Sequence, residues 1–149
     1  ILNNEMDDFS SPSGANIYGL RQSDKNLPEP GKRPLSSMSP TIVTHHGAPV
    51  LVLGASGGPR IISSVVQVLL RVLWADDEPI DALKRPRLHH QWMPDYVYFE
   101  EDFNIKTQES LQSKGHEIKE RGHIGVVQVI QIDGGVMKPA SDPRNGLLP

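Results

Sequence analysis

The clearest hydrophobic pattern lies in the middle of the chain, where an apolar run leads through a glycine-rich turn into a second apolar segment. Residues 50–53 form a continuous apolar run, which is typical of a buried strand. The segment after the turn predicts a helix from Pro59 or Arg60 to about Ala75. Its polar residues fall on one narrow stripe, so we expect this helix to be largely buried. They are Arg60, Ser63, Ser64, Gln67 and Arg71.

Shorter patterns along the rest of the chain predict several strands and two further helices. The strands are predicted over residues 1–5, 41–44, 95–100, 117–120 and 124–132, and the helices over residues 79–84 and 106–114. We expect the strand at 41–44 to form a hairpin with residues 50–53, and residues 136–138 to pair back on the last strand. Residues 86–94 show no regular pattern. This order of hairpins around a few helices predicts an α+β fold with a mostly antiparallel sheet.

Two segments in the first third of the chain show no helix or strand pattern. Residues 11–31, the surface loop, are rich in Ser, Pro, Gly and Asn. We expect them to form an extended loop within a single partial domain over residues 1–149, and a loop of this length is usually functional or mobile. In residues 32–40, the serine segment, Pro34 and Pro40 frame three serines. Each proline pushes the preceding residue toward extended geometry, so this segment should be stiff.

Composition narrows the classes of protein to consider. The 149 residues fit one domain, and the formal net charge of -3, without a basic stripe, argues against a nucleic-acid partner. The absence of cysteine excludes disulfides and thiolate zinc sites. The longest apolar stretch, residues 65–74, is interrupted by Gln67 and Arg71 and is too short to cross a bilayer. Because the chain opens on Ile1, we expect a piece of a longer chain or a proteolytically matured subunit.

The glycine turn, residues 54–59, could hold negative charge. Gly54, Gly57 and Gly58 permit backbone angles that other residues avoid. A helix start presents unpaired N–H groups and the positive end of the helix dipole, which suits a bound anion or a charge that forms during a reaction. A turn that needs glycine only for packing fits the same pattern. The turn lacks the G-K-[ST] ending of a phosphate-binding loop, which argues against a nucleotide.

Two polar clusters could bind the charged ends of a small ligand. Glu5, Asp7 and Asp8 lie in and just before an acidic turn over residues 6–10, and they could converge on an ammonium group. A solvated turn or a helix N-cap explains the same spacing. The three serines of the serine segment could bind a carboxylate, or they could simply form turns. No G-x-S-x-G elbow that would activate a nucleophilic serine is present.

The two pairs of adjacent histidines do not predict a metal site. The pairs are His45-His46 and His89-His90. Adjacent side chains on a strand point to opposite sides, so one pair rarely supplies two ligands. The chain also contains no H-E-x-x-H motif. We therefore expect no metal and no cofactor.

Five segments, in order, closely resemble the C-terminal part of the small, catalytic subunit of the γ-glutamyltransferases, also called γ-glutamyl transpeptidases. They are LNNEMDDF at residues 2–9, KRPLSSMSPT at 32–41, GASGG at 54–58, PRLHHQ at 86–91 and ASDPR at 140–144. The resemblance covers essentially the whole chain, and the PLSSMSP stretch is highly specific.

The resemblance implies an N-terminal nucleophile hydrolase fold, in which two antiparallel sheets are sandwiched between helix layers. In that family a precursor cuts itself into a large and a small subunit. The new N-terminal threonine attacks the γ-glutamyl carbonyl of glutathione or a related compound and forms a γ-glutamyl-enzyme. Water, an amino acid or a dipeptide then accepts the γ-glutamyl group. The resemblance also implies an extracellular or cell-surface location, with any membrane anchor on the large subunit.

Six residues of this chain match site residues of the family. Glu5 and Asp8 resemble the side chains that hold the substrate's α-ammonium group. Ser36 and Ser37 resemble the serines that bind its α-carboxylate. Gly57 and Gly58 resemble the pair whose backbone N–H groups form the oxyanion hole. These roles agree with the chemistry of the three segments: carboxylates face a cation, hydroxyls face an anion, and a glycine turn faces a developing negative charge.

The nucleophilic threonine of the family has no counterpart in this chain. The threonines are Thr41, Thr44 and Thr107, and none is N-terminal or lies in the family's nucleophile motif. We therefore expect this chain alone to be inactive and to act as a substrate-binding part of an active γ-glutamyltransferase that includes the large subunit. A non-catalytic amino-acid-binding or interaction homologue is the alternative. A small anion-binding module without γ-glutamyl chemistry is a third, weaker interpretation.

Overall fold

The computed structural model describes residues 4–12, 14, 16, 18–20 and 22–146. Its strands are β1 (Thr41–His45), β2 (Ala48–Ser56), β3 (Leu88–His89), β4 (Val97–Phe99), β5 (Ile118–Glu120), β6 (Val126–Asp133) and β7 (Val136–Ser141). Its α-helices are α1 (Arg60–Trp74), α2 (Pro79–Lys84) and α3 (Ile105–Ser113). Three short 3-10 helices cover Glu5–Asp8, Asp24–Asn26 and Pro143–Asn145.

The main sheet has four antiparallel strands in the order β1-β2-β6-β7. Both predicted hairpins are present, β1 with β2 and β6 with β7. The central strands β2 and β6 pair with Leu53 opposite Val129. Helices α1 and α2 cover one face of this sheet. The buried core lies between them and consists of Leu51, Leu53, Val127 and Val129 from the sheet with Ile61, Val65, Val68, Val72, Ala82 and Leu83 from the helices.

A second, smaller sheet includes part of a region that was expected to be irregular. It has the order β3-β4-β5, and β4 and β5 run parallel. Residues 86–94, expected to be irregular, contribute β3, which pairs with β4.

The strand predicted over residues 1–5 is wrong at Glu5, which begins a 3-10 helix, while residues 1–3 lie outside the described residues. The amide of Asn4 donates to the Asp7 carboxylate at 2.6 Å, which stabilises that turn.

The expectation that α1 is largely buried is wrong for one of its faces. Ile62, Val66 and Leu70 are 52%, 48% and 44% exposed, and Trp74 is 85% exposed. The polar stripe faces the protein instead. Ser64 is completely buried, and the side-chain amide of Gln67 both donates to the carbonyl and accepts from the N–H of Leu88, as a neighbouring strand would. Side-chain hydrogen bonds to a distant backbone therefore accommodate polar residues on the inner side of this helix, beside its buried apolar residues Ile61, Val65, Val68 and Val72.

A cluster of buried charges joins α2, the small sheet and the ends of the main sheet. Arg87 and Asp142 are 1% and 0% exposed, and their side chains meet at 2.7 Å. Arg144 pairs with Glu100 at 2.5 Å and with Asp142 at 3.1 Å. Burial lowers the pKa of Arg87. Burial opposes ionisation of Asp142 too, but the Val127 N–H and the Arg87 guanidinium outweigh that effect, so the pKa of Asp142 lies below its ordinary value.

Replacing Asp142 with alanine should destabilise the protein strongly. The substitution leaves the Arg87 guanidinium buried without its partner, which typically costs on the order of 3–5 kcal/mol. The measurement is the free energy of urea unfolding of the complete protein. Asp133→Ala is the matched control, because Asp133 is exposed at the end of β6. An equal loss in both variants would contradict the role of the buried pair.

The same pair gives stability a defined pH dependence. Because the pKa of folded Asp142 is depressed, its contribution is fully present above the unfolded pKa of about 4 and is lost as the pH falls through the lower folded value. The stability difference between wild type and Asp142→Ala should therefore be constant near neutral pH and shrink below about pH 4. A difference that stays constant into that acidic range would contradict the assignment.

Candidate functional site

A cavity of about 300 Å³ lies where the acidic turn, the surface loop, the serine segment and the glycine turn meet. Its polar lining comes from Asn4, Asp7, Asp8, Ser10, Asn16, Gln22, Ser23, Asn26, Ser36 and Ser37. Apolar side chains of Phe9, Tyr18, Leu20, Leu35 and Ile62 complete the wall, together with Gly58 and Pro59. The cavity thus combines carboxylates, hydroxyls and the start of a helix in one small space.

Four of the six predicted site residues line this cavity, and two do not. Asp8, Ser36, Ser37 and Gly58 are in the lining. Gly57 lies one residue before Gly58, outside the lining. Glu5 is the first residue of the 3-10 helix and is exposed. Asp7 does line the cavity, although the resemblance assigned it no site role.

A buried asparagine in the surface loop holds the acidic turn against the serine segment. Asn26 is 8% exposed. Its side-chain amide donates to the backbone carbonyl of Asp8 at 2.8 Å, and its side-chain oxygen accepts from the N–H of Leu35 at 2.9 Å. Its own carbonyl accepts from Ser10 N–H at 2.9 Å. The surface loop therefore has a buried anchor, and this anchor sets the distance between Asp8 and the serines.

Hydrogen bonds between residues two apart in the serine segment orient its hydroxyl groups. The Oγ atom of Ser36 accepts from the N–H of Met38 at 3.2 Å, which leaves its hydroxyl proton for another acceptor. The carbonyl of Ser37 accepts from the hydroxyl of Ser39 at 3.1 Å. Ser36 is exposed and Ser37 is half-buried at the cavity. Ser36 can therefore donate to an anion placed in the cavity.

The glycine turn requires glycine at positions 57 and 58. Gly57 has φ +135° and Gly58 has φ +61°, which residues with a Cβ atom rarely adopt. A Cβ atom on Gly58 would also lie 2.5 Å from the Tyr18 ring. Directly afterwards, the N–H groups of Arg60 and Ile61 donate to the carbonyls of Gly57 and Gly58 at 3.4 and 3.0 Å as α1 begins. The positive end of the helix dipole therefore lies at the cavity wall.

Tyr18 of the surface loop covers the glycine turn, and sequence reasoning did not identify it. The guanidinium of Arg60 lies 5.8 Å from the centre of the Tyr18 ring. The backbone carbonyl of Tyr18 accepts from the Gln91 side chain at 3.0 Å. No local pattern marks Tyr18 or Asn26, because their partners are far away in the sequence.

The histidine pairs occupy two different environments. His45 and His46 lie at the exposed turn between β1 and β2, with ring centres 4.1 Å apart. His89 is buried between Ser63 and Gln91, at 2.7 and 2.8 Å, and burial lowers its pKa. Among the described residues, no three His, Asp or Glu side chains are grouped as metal ligands.

None of the helices in the described part of the chain has the length and apolar character that a membrane crossing requires.

Comparison with known proteins shows which family has this arrangement. The family model described as gamma-glutamyltranspeptidase matches residues 1–147. The glutathione hydrolase proenzyme of Escherichia coli is 43% identical over 147 residues, which are 97% of this chain and 25% of that protein. Scoloptoxin SSD14 of Scolopendra dehaani is 44% identical over 98% of this chain and 26% of its own length. The gamma-glutamyltranspeptidase of Pseudomonas nitroreducens, solved with L-DON, superposes with a TM-score of 0.84 at 44% identity over 97% of this chain and 77% of that chain.

The sheet with helices on one face is part of the αββα sandwich of the N-terminal nucleophile hydrolases. Within that class, this chain belongs to the γ-glutamyltranspeptidase family. The chain spans about a quarter of the length of these two curated relatives, and it spans 76% of Scoloptoxin SSD20 of Scolopendra dehaani, which is 44% identical to it. The α+β fold expected from the sequence is therefore confirmed, as is the family.

Replacing Asn26 with alanine should loosen the cavity wall. The substitution removes the hydrogen bonds to the Asp8 carbonyl and the Leu35 N–H, and each such bond is typically worth about 0.5–1.5 kcal/mol. We expect faster proteolytic cleavage within residues 11–31 of the complete protein. Asn145→Ala, at an exposed asparagine, serves as the control and should leave the cleavage rate unchanged. Equal cleavage of both variants would show that Asn26 is not an anchor.

Proposed function

We propose that this chain is the C-terminal part of a γ-glutamyltransferase small subunit and supplies its substrate-binding and oxyanion-hole residues. The complete protein cleaves the γ-glutamyl bond of glutathione and related compounds through a γ-glutamyl-enzyme. It then passes the γ-glutamyl group to water, amino acids or dipeptides. The observation that carries this proposal is the single cavity shared by Asp8, Ser36, Ser37 and Gly58 in a chain of this family.

The charges around the cavity suit the amino-acid end of a γ-glutamyl substrate. Asp8, assisted by Glu5, binds the α-ammonium group, since a carboxylate forms strong charge-assisted bonds with an ammonium donor. Ser36 and Ser37 bind the α-carboxylate through hydroxyl donors. Asn26 fixes the spacing between these two sets of groups. A cavity of about 300 Å³ is at the small end of ligand sites, which suits an amino-acid-sized group.

The backbone N–H groups of Gly57 and Gly58 stabilise the oxyanion that forms when the γ-carbonyl is attacked. Support comes from the glycine turn at the start of α1, because Gly58 and Pro59 line the cavity and the positive end of the helix dipole lies at its wall. Donors of this kind are preorganised for the charge of the tetrahedral intermediate. Removal of one such donor typically lowers kcat by about 10²–10³-fold.

The threonine nucleophile comes from a part of the complete protein outside this chain. The hydroxyl of Thr41 donates to the Ser39 carbonyl, and that of Thr107 donates to Asn104 on the N-terminal turn of α3. Thr44 is exposed on β1. The described cavity lining contains none of these three threonines, so this chain contributes binding and stabilisation but not the attacking group.

The large subunit covers the exposed apolar face of α1. Ile62, Val66, Leu70 and Trp74 recur at intervals of four along this face, and contiguous apolar patches of this kind mark interaction surfaces. Ile62 also lines the cavity, so the docked subunit reaches the edge of the substrate site. From the resemblance to the family, we place the complete protein outside the cell or at its surface, with any membrane anchor on the large subunit.

The complete protein should hydrolyse a γ-glutamyl anilide, and this chain expressed alone should not. The missing nucleophile is the reason, and release of the aniline is the measurement. A complete protein that binds glutamate but releases no aniline would instead be the non-catalytic amino-acid-binding homologue. Hydrolysis by the isolated chain would contradict the assignment of the nucleophile to another segment.

Replacing Asp8 with alanine in the complete protein should weaken substrate binding. Removing one partner of a desolvated charge pair costs about 2–5 kcal/mol, so kcat/KM should fall by roughly 30-fold or more. Asp24→Ala is the matched control, because Asp24 also lies in a 3-10 helix but is exposed and outside the cavity lining. Steady-state kinetics with the anilide provide the readout, and unchanged constants for Asp8→Ala would remove Asp8 from the binding site.

A further inference from the structure

The two residues before β6 lie directly against the glycine turn. A Cβ atom built on Gly57 would lie 2.9 Å from the Cα atom of Gly125 and 3.5 Å from its backbone nitrogen. The two glycine backbones are therefore in contact, with no room for a side chain on the turn side. The position of Gly57 consequently depends on where the Gly125 backbone lies.

Gly125 is itself fixed by its neighbours. It is buried and has φ +67°. A Cβ atom on Gly125 would collide with the Oγ atom of Ser64 and would lie 3.4 Å from the carbonyl oxygen of Ser56, the last residue of β2. Ser64 on α1 and Ser56 on β2 belong to the two elements that the glycine turn connects. Gly125 thus fills the junction between them.

Three side chains hold the backbone of residues 124–125 in place. The hydroxyl of Ser64 lies 2.8 Å from the carbonyl oxygens of both Ile124 and Arg60, so its single proton is shared between these two acceptors. The guanidinium of Arg87 donates to the carbonyls of Ile124 and Gly125, both at 3.3 Å. The Glu100 carboxylate accepts from the N–H of Ile124 at 2.7 Å. The segment behind the glycine turn is therefore anchored in the buried charge cluster.

We propose that Gly125, held by Ser64, is a positioning residue for the oxyanion hole. It acts through Gly57: a displacement of the Gly125 backbone moves the Gly57 backbone and turns its N–H away from the oxyanion. This inference rests on the proposed function. Oxyanion donors must be placed to within fractions of an ångström, and a misplacement of about 1 Å can cost about 10²-fold in rate.

The test is Gly125→Ala in the complete protein, with rates expressed per titrated active site. We expect kcat for a γ-glutamyl anilide to fall about 10²-fold, with KM unchanged. A boronic acid analogue of glutamate, which forms a tetrahedral adduct with the nucleophile, should bind about 10²-fold more weakly. Competitive inhibition by glutamate itself should be unchanged, because glutamate presents no tetrahedral oxyanion.

Gly47→Ala is the matched control. Gly47 has φ +83° and open space where its Cβ atom would lie, so this variant introduces the backbone strain without the collision. It should leave kcat and boronate binding unchanged. If Gly125→Ala does not fold, Ser64→Ala replaces it, since it removes the hydrogen bond to Ile124 without adding volume. We expect Ser64→Ala to reduce kcat and boronate affinity together, with glutamate binding retained.

Two results would overturn the inference. One is a kcat per active site that is unchanged in Gly125→Ala, or in Ser64→Ala where that variant is used. The other is an equal loss of glutamate and boronate affinity, which would place the effect on the whole cavity. Wild-type hydrolysis of the anilide is measured first. If the wild-type protein hydrolyses the anilide and the variant is unaffected, only the positioning role is rejected. If the wild-type protein does not hydrolyse the anilide, the proposed function is rejected.

Discussion

The buried ion pair between Arg87 and Asp142 is the interaction on which the arrangement of the irregular segments depends. Beyond each other, the two side chains bond mostly to backbone groups. Arg87 donates to the carbonyls of Leu83, Ile124 and Gly125, and Asp142 accepts from the N–H of Val127. Buried backbone groups that have no partner within a helix or sheet need such side-chain partners. An apolar pair of the same volume could match the packing, but it could not satisfy these backbone groups.

The cavity is assembled in the same way, by side chains that bond to the backbone of distant segments. Asn26 links the acidic turn to the serine segment, and Ser64 links α1 to the residues before β6. A cavity made of separate loops has little sheet or helix structure to fix its dimensions. Single buried polar residues provide that rigidity, and these residues do not form a sequence motif.

Sequence patterns predicted the parts of the fold that depend on local periodicity. The helix expected from residue 59 or 60 to about 75 is Arg60–Trp74, and both hairpins form as expected. The parallel pairing of β4 with β5 was missed because it joins segments that are separated by α3. Asp8, Ser36, Ser37 and Gly58 were predicted as site residues from segment resemblance, and they line one cavity. The contacts of Asn26 and Tyr18 are ones that no local pattern encodes.

The apolar face of α1 was misjudged for a related reason, and it connects the fold to the site. A narrow polar stripe usually marks the solvent side of a helix. Here Ser64 and Gln67 are used for internal hydrogen bonds, so apolar side chains are left outside. Burying Trp74, Leu70, Val66 and Ile62 against another polypeptide would be favourable in proportion to the area covered. Because Ile62 is shared between that face and the cavity, a polypeptide that covered the helix would also reach the edge of the cavity. Under the proposed function the chain supplies the oxyanion turn but not the nucleophile, so such a coupling would hold the attacking group beside its donors.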